Sequence, residues 1–167
     1  PDPVRCACFI VSPPPRSATD RATLWEGLAD GSLDLVATDH VPDRRGVEKS
    51  EAASGVSFDR ISNGAPGIET LLTLLYSEGV ARGRITLERM VDLIATTPAA
   101  RFGLADKGAI EVGRDADLVI FDPDAQRTIR STDLHHSSDY TPYEGMAVRG
   151  AVRDVLVRGS DVVRNRV

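Results

Sequence analysis

Two short apolar runs with a helical pattern between them occupy the first forty residues of the chain. The runs cover residues 6–11 and 33–37, and apolar residues recur at helical spacing over 18–29. A strand, helix, strand order is typical of a parallel α/β sheet, because parallel strands need a long crossover connection. The pattern predicts two parallel strands, adjacent or one apart, with the helix packed outside them.

Further helices are predicted downstream of these runs. Apolar residues recur at helical spacing over 67–79 and 86–96, and a short helix begins at Thr97-Pro98 and ends near Gly103. The helix at 86–96 has only a weak cap at its start, Thr86-x-x-Arg89. All of these helices are expected to pack outside the parallel strands.

The pattern changes from helical to β after Lys107. Short β-rich pieces separated by Gly and Asp turns lie at 109–110, 118–121, 152–157 and 162–163. We therefore predict a boundary near residues 104–108 and mostly antiparallel strands beyond it. One face of those strands is expected to form a shared apolar layer from four side chains, Leu118, Ile120, Val155 and Val157.

The composition argues against two classes of partner. A net charge of -5 and a pI of about 5.2, with no basic run, argue against nucleic acid. No stretch approaches the roughly 18 apolar residues of a membrane span, so no membrane partner is expected. The sequence shows no signal-peptide pattern, and its two cysteines suit a reducing compartment, so we expect a cytoplasmic location.

On the predicted strand, Cys6 and Cys8 would both be buried or half-buried small residues.

The stretch ATDHVPD, residues 37–43, places a carboxylate and an imidazole directly after the second apolar run. Loops at the ends of parallel strands build the active sites of barrels and doubly wound sheets. Asp39 could there ligate a divalent cation or accept a proton from a metal-bound water. Polar residues capping a strand end explain the same stretch without a function. The long loop that follows, 41–62, is expected to be functional or mobile.

A second candidate is the turn formed by Asn63-Gly64 and Pro66-Gly67, directly before a predicted helix. Amide groups exposed at such a turn could hold a polar planar ligand. The alternative interpretation is a turn that simply starts the helix. The local pattern leaves both interpretations open.

Six segments, read in their order along the chain, identify a family. They are SPPPR, LWEGLADGSLDLVATDHVP, FDRISNGAPGIETLLTLLYSEGV, RITLERMVDLIATTPAARFGL, KGAIEVGRDADLVIFDP and DYTPYEG. Together they resemble the C-terminal portion of the dihydropyrimidinase and hydantoinase family, a branch of the amidohydrolase superfamily. The resemblance runs from about Ser12 to the end. NGAPGIETLL and DYTPYEG distinguish this branch from two other groups of cyclic amidohydrolases, the allantoinases and dihydroorotases, which remain the alternative.

The resemblance implies a fold and a site. The fold is the α/β C-terminal part of a TIM-like (β/α)8 metal-dependent hydrolase barrel, residues 1–107, followed by β-sandwich strands and a tail, 108–167. The site comprises Asp39, a metal ligand and proton shuttle, with Ser12 and Asn63 binding the substrate. His40 is expected to fix the loop after the strand.

The implied reaction is ring opening of a dihydropyrimidine or hydantoin type substrate, a small cyclic amide. Two divalent metal ions, with zinc the expected identity, would lower the pKa of a bridging water and polarise the carbonyl. Asp39 would take the proton and pass it to the departing ring nitrogen. The resemblance also implies a homo-oligomer, a tetramer in the family.

The sequence departs from the family in its metal ligands. The resemblance calls for a His-x-His pair, a bridging carboxylated lysine and two further histidines. The chain has three histidines, His40, His135 and His136, with no His-x-His, and neither Lys49 nor Lys107 lies on a predicted barrel strand. A complete barrel takes about 250 residues. We therefore expect a segment of a longer enzyme that needs the missing N-terminal part, binds no metal by itself and is inactive alone.

Two other classes of function remain open from the sequence. One is a non-catalytic scaffold protein of the same family, which keeps the fold and loses metal ligands; retention of Asp39 argues against it. The other is a free-standing interaction module, which exposed apolar strand faces would make prone to self-association.

Overall fold

The helices come first along the chain and the strands last. A computed structural model describes residues 2–164 of the protein. The α-helices are α1 (Pro3–Ala7), α2 (Ala18–Asp30), α3 (Leu71–Leu74), α4 (Leu87–Val91) and α5 (Thr97–Arg101). The β-strands are β1 (Leu118–Thr128), β2 (Ala147–Val157) and β3 (Ser160–Val163). Over residues 2–164, no helix combines the length and apolar character needed to cross a bilayer.

The predicted strand at 6–11 is wrong, because its first residues belong to α1. Asp2 caps this helix by accepting a hydrogen bond from the backbone N–H of Val4 at 3.0 Å, and Pro3 occupies the first helical position. Both features favour a helix start over an extended chain. As a result Cys6 is exposed and Cys8 is buried, so the two thiols do not share an environment.

The predicted strand at 33–37 is also wrong for this chain. This segment has no regular strand pairing, and Val36 N–H donates instead to the carbonyl of Leu93 at 3.1 Å. Parallel pairing is limited to a single bridge between His40 and Ala65 in the described part of the chain. An apolar run becomes a central strand only when neighbouring strands supply its hydrogen bonds.

The predicted helices are confirmed, with shifted boundaries. Helix α2 matches the predicted 18–29 almost residue for residue. Helix α3 begins at Leu71, four residues later than predicted, and continues as a π-helix over Leu75–Val80. Helix α4 continues likewise over Asp92–Thr96 and runs into α5. Short 3₁₀ turns lie at Ser50–Ser54, Phe58–Arg60 and Ser131–Asp133.

The three strands form one sheet in the order β1, β2, β3. Strands β2 and β3 are antiparallel, with Val155 opposite Val163 and Val157 opposite Ser160. Arg158 and Gly159 make the two-residue turn between them, with φ angles of 49° and 78°. Two consecutive positive φ angles match the right-handed twist of a tight hairpin. The predicted change from helix to β-structure is therefore confirmed, although 109–110 is not a strand.

The predicted apolar layer is only partly formed. Leu118 and Val155 are half-buried, whereas Ile120 is 37% exposed and Val157 is 40% exposed. The expectation was wrong for these last two because it assumed a complete sandwich, and residues 2–164 contain a single three-stranded sheet. On the other face, the Phe121 ring meets Tyr76 edge to face at 4.8 Å between centroids.

The chain divides into two units that alternate along the sequence. Unit 1 comprises residues 1–18, 38–71 and 128–147, and unit 2 comprises 19–37, 72–127 and 148–167. Unit 1 buries Ala7, Ala52, Ile61 and Tyr140, and unit 2 buries Leu75, Met90, Leu93 and Ala151. The predicted division at 107/108, drawn from the change of sequence pattern after Lys107 and from the family resemblance, stays a prediction. Residues 165–167, the last three of the predicted β-sandwich segment, lie outside the described part of the chain.

Candidate active site

Three separate segments of unit 1 meet at the candidate site. The backbone N–H of Gly64 donates to the carbonyl of Ile10 at 2.9 Å, which joins the turn at 63–64 to the segment holding Ser12. The parallel bridge between His40 and Ala65 joins the same turn to the segment holding Asp39. Within that bridge, Val41 N–H donates to the Ala65 carbonyl at 3.1 Å.

Ser12 and Asn63 are in direct contact. The side-chain amide Nδ2 of Asn63 donates to the hydroxyl oxygen of Ser12 at 2.8 Å, and both residues are exposed. Because Ser12 accepts this bond, its hydroxyl proton remains free to point elsewhere, as does the amide oxygen of Asn63. The pair therefore offers one donor and one acceptor to a ligand.

Asp39 is exposed and has a left-handed backbone, with φ of 44°. Aspartate is among the few residues other than glycine that enter this region, at some cost in energy. Because His40 and Ala65 are bridged in parallel, the residues preceding them, Asp39 and Gly64, lie towards the same end of the bridge. The bridge thus brings the backbone of Asp39 to the turn that carries Asn63, and the Asp39 side chain is exposed.

His40 anchors the start of the following helical segment. Its Nδ1 accepts hydrogen bonds from the backbone N–H groups of Gly67 at 3.0 Å and Ile68 at 3.3 Å. Two donors facing Nδ1 require a lone pair there, so the proton of the neutral ring sits on Nε2. Burial, and then the nearby His136 ring, lower the pKa of His40, which favours that neutral form. The expected structural role of His40 is confirmed by these contacts.

Neither of the other histidines makes a metal cluster in the described chain. The His136 ring lies 5.6 Å from the His40 ring, centroid to centroid. His135 pairs with Glu69 through Nδ1 at 2.9 Å. Over residues 2–164, no group of three His, Cys, Asp or Glu side chains could hold a metal ion.

Lys49 is the residue that sequence reasoning missed. Its side chain is fully buried, and its ammonium contacts the carboxylate of Asp43 at 3.1 Å. Lys49 also donates to two backbone carbonyls, those of Ser62 at 2.5 Å and Gly64 at 3.0 Å. The one available signal was that lysine occurs at only two of the chain's 20 cationic positions.

The DYTPYEG segment closes over the same turn. Tyr140 is 1% exposed, and its hydroxyl donates to the Gly64 carbonyl at 3.4 Å. Burial raises the pKa of this phenol, so it remains a donor across the physiological range. Asp139 accepts from the backbone N–H of Arg45 at 2.8 Å, and Ser138 donates to the Asp43 carbonyl at 2.5 Å. The long loop expected to be functional or mobile is thus fastened to this segment.

Comparisons with known proteins bear on both fold and chemistry. The model of the amidohydrolase family matches residues 7–162. D-phenylhydantoinase of Escherichia coli O1:K1 / APEC is 42% identical over 155 residues, which are 92% of this chain and 33% of that enzyme. The chain therefore spans about a third of the length of the curated relatives it matches.

Solved structures agree with this sequence similarity. Dihydropyrimidinase from Brevibacillus agri NCHU1002 superposes with a TM-score of 0.92 at 44% identity, covering 96% of this chain and 34% of that one. L-Hydantoinase (dihydropyrimidinase) from Arthrobacter aurescens gives a TM-score of 0.87 at 35% identity, covering 98% and 36%. These matches confirm the resemblance and the predicted fold class, the C-terminal part of a TIM-like barrel followed by strands.

Proposed function

Because the chain belongs to the amidohydrolase family, we propose that it forms part of an enzyme that hydrolyses a cyclic amide. The substrate class is a dihydropyrimidine or hydantoin type ring. The observation that carries this proposal is the Ser12–Asn63 contact of 2.8 Å, on a turn bridged to the segment of Asp39. Its 42% identity with a D-phenylhydantoinase supports the same reaction class.

The Ser12–Asn63 pair is chemically suited to the edge of a cyclic amide. Such a ring presents a carbonyl acceptor beside an N–H donor. The Ser12 hydroxyl can donate to the first, and the Asn63 amide oxygen can accept from the second. Holding the ring by two bonds fixes the carbonyl for attack, which converts a random encounter into a positioned one.

Asp39 is proposed as the catalytic acid and base. Ring opening requires a proton to leave the attacking water and another to reach the departing ring nitrogen. A carboxylate beside the bound ring can accept the first proton and return it to the nitrogen, which completes the cleavage of the C–N bond. Its exposed position leaves the carboxylate accessible to a ligand.

The described residues do not by themselves fit a two-metal centre. Asp39 is one carboxylate, and residues 2–164 hold no cluster of three potential ligands. We propose that two divalent metal ions, zinc by preference, are held in the complete enzyme by Asp39 together with ligands outside the described residues. When bound, they would activate water and polarise the ring carbonyl.

Four further features belong to the same proposal. The complete enzyme would be a homotetramer in the cytoplasm, with neither nucleic acid nor membrane as a partner. Residues 1–107 would form the end of its barrel, and 108–167 would join a composite β-sandwich. Size-exclusion chromatography with light scattering of the complete enzyme tests the tetramer, and a monomer would contradict it.

Substitution of Asp39 tests the catalytic proposal. In a complete hydantoinase whose matching third is replaced by this chain, Asp39→Asn should lower ring-opening activity about 100-fold or more, because an amide cannot accept and return the proton. Asp34→Asn is the matched control, since Asp34 is exposed, is ion-paired with Arg101 and belongs to unit 2. Activity of the Asp39 variant within a few-fold of the parent would assign Asp39 to structure.

A further inference from the structure

The Lys49 ammonium contacts backbone oxygen atoms of the residues on both sides of Asn63 in the chain. The carbonyls that it contacts belong to Ser62 and Gly64, the two residues flanking Asn63. The third contact is the Asp43 carboxylate, which supplies the opposite charge. Two of the three ammonium N–H donors are satisfied by these carbonyls, and the carboxylate contact at 3.1 Å is an ion pair.

These contacts restrict the backbone that carries the Asn63 side chain. The Ser62 carbonyl belongs to the peptide group that precedes Asn63, and the Gly64 carbonyl belongs to the Gly64–Ala65 peptide, so the buried ammonium holds the backbone on both sides of Asn63. Gly64 is held further by Tyr140 on its carbonyl and by Ile10 on its N–H. Bonds to an ionised donor are stronger than neutral ones, and burial removes the water that would compete with them.

We propose that Lys49 is a positioning residue for Asn63. By holding the backbone of the turn, Lys49 orients the Asn63 amide towards Ser12 and the substrate. It contacts neither substrate nor metal itself. This inference rests on the proposed function of Asn63 as a substrate ligand. The Asp43–Lys49 pair lets the long loop, 41–62, determine the geometry of the turn that directly follows it.

A measurement on the 167-residue chain tests the contact independently of activity. Lys49→Met removes the charge and all donors, so the amide proton of Gly64 should exchange with solvent about tenfold faster or more. Lys107→Met is the matched control, because Lys107 is likewise ion-paired, with the carboxylates of Asp115 and Asp117, but lies in unit 2. It should leave Gly64 exchange unchanged. Unchanged exchange in the Lys49 variant would overturn the proposal.

Hydrogen exchange at amides of unit 2 distinguishes global destabilisation from a local change at the turn. Exchange at Leu93, which is fully buried there, reports general unfolding of the chain. If Lys49→Met unfolds the protein, Lys49→Gln replaces it, since glutamine can still donate to one of the carbonyls. A Gln variant in which Gly64 and Leu93 accelerate equally would give Lys49 a global structural role and overturn the proposal.

A double-mutant cycle in the complete grafted enzyme tests the link to substrate. Lys49→Met should reduce kcat/KM by about 10- to 100-fold, the scale expected for a misplaced positioning group. In a background that already carries Asn63→Ala, the same substitution should have almost no further effect, because Lys49 acts through Asn63. Equal losses in both backgrounds would show an independent role and overturn the inference.

The cycle also distinguishes failure of the positioning role from failure of the proposed function on which it rests. A folded graft without activity, or one in which Asn63→Ala changes nothing, would contradict the proposed function, and Gly64 exchange alone would then decide the role of Lys49 in the turn. If Asn63→Ala lowers activity and the loss caused by Lys49→Met adds to it in full, the proposed function stands and the positioning role is contradicted.

Discussion

Gly64 has a backbone conformation that side chains exclude, with φ of 146°. A Cβ atom built there would lie 2.5 Å from Val41 Cβ, on the segment that pairs with Ala65. Real Cβ atoms do not approach this closely, so either the turn or Val41 would have to move. Only glycine lets the Asn63 turn and the Asp39 segment approach to this distance.

Gly64→Ala is therefore expected to destabilise the protein by about 2–4 kcal/mol, from strain in φ added to the clash. The free energy of unfolding in urea measures the loss. Gly46→Ala is the control, since nothing lies within 4 Å of its added methyl group and it should change stability little. Equal stability of the two variants would contradict the described turn.

The site residues show what a sequence can and cannot predict at this scale. Ser12, Asp39 and Asn63 could be named because a family resemblance assigns roles to single positions, and those roles remain proposals. Lys49 could not be named, because its importance depends on burial and on carbonyl groups that carry no sequence signature. The loop around it has no periodicity, so no pattern predicted a buried ammonium.

Helix α4 shows how a weak sequence pattern can still give a defined helix start. Thr86 has an extended backbone, and its hydroxyl accepts the N–H of Arg89 at 3.1 Å. Arg89 then donates from its guanidinium to the carbonyls of Leu28 and Leu33, both at 2.7 Å. The arginine that made the sequence pattern weak thus links α4 to the end of α2 and the chain beyond it.

Thr86→Ala should cost about 1 kcal/mol of stability, because it leaves an N–H at the helix start without its acceptor. Thr86→Ser retains the hydroxyl and should remain close to the parent. Urea denaturation followed by far-ultraviolet circular dichroism compares the three proteins. An alanine variant as stable as the serine variant would mean that the cap contributes nothing.

Helices were predictable from the sequence to a degree that strands were not. A helix makes its hydrogen bonds within itself, so the pattern of one segment suffices, as for α2. A central strand takes its partners from elsewhere, and residues 33–37 lack those partners in the described chain. At 6–11 a local helix start determined the structure instead. Asp2 and Pro3 begin a helix that the apolar pattern did not indicate.

At the scale of the whole molecule, we expect the isolated chain not to hydrolyse hydantoin or dihydrouracil. Metal affinity rises with the number of ligands in a closed site, and residues 2–164 hold no such cluster. The purified chain would be incubated with excess zinc or manganese, and ring opening followed by loss of ultraviolet absorbance. Metal-dependent turnover that disappears in Asp39→Ala would contradict this expectation.

The alternation of the two units along the chain constrains how the protein is made. Unit 1 takes its last stretch from residues 128–147, and unit 2 takes its last from 148–167. A ribosome releases residues in chain order, and domains ordinarily fold as they emerge. When residue 127 has been synthesised, most of both units is present and neither is whole. Neither unit can therefore complete its packing until the stretches that begin at residues 128 and 148 have been synthesised.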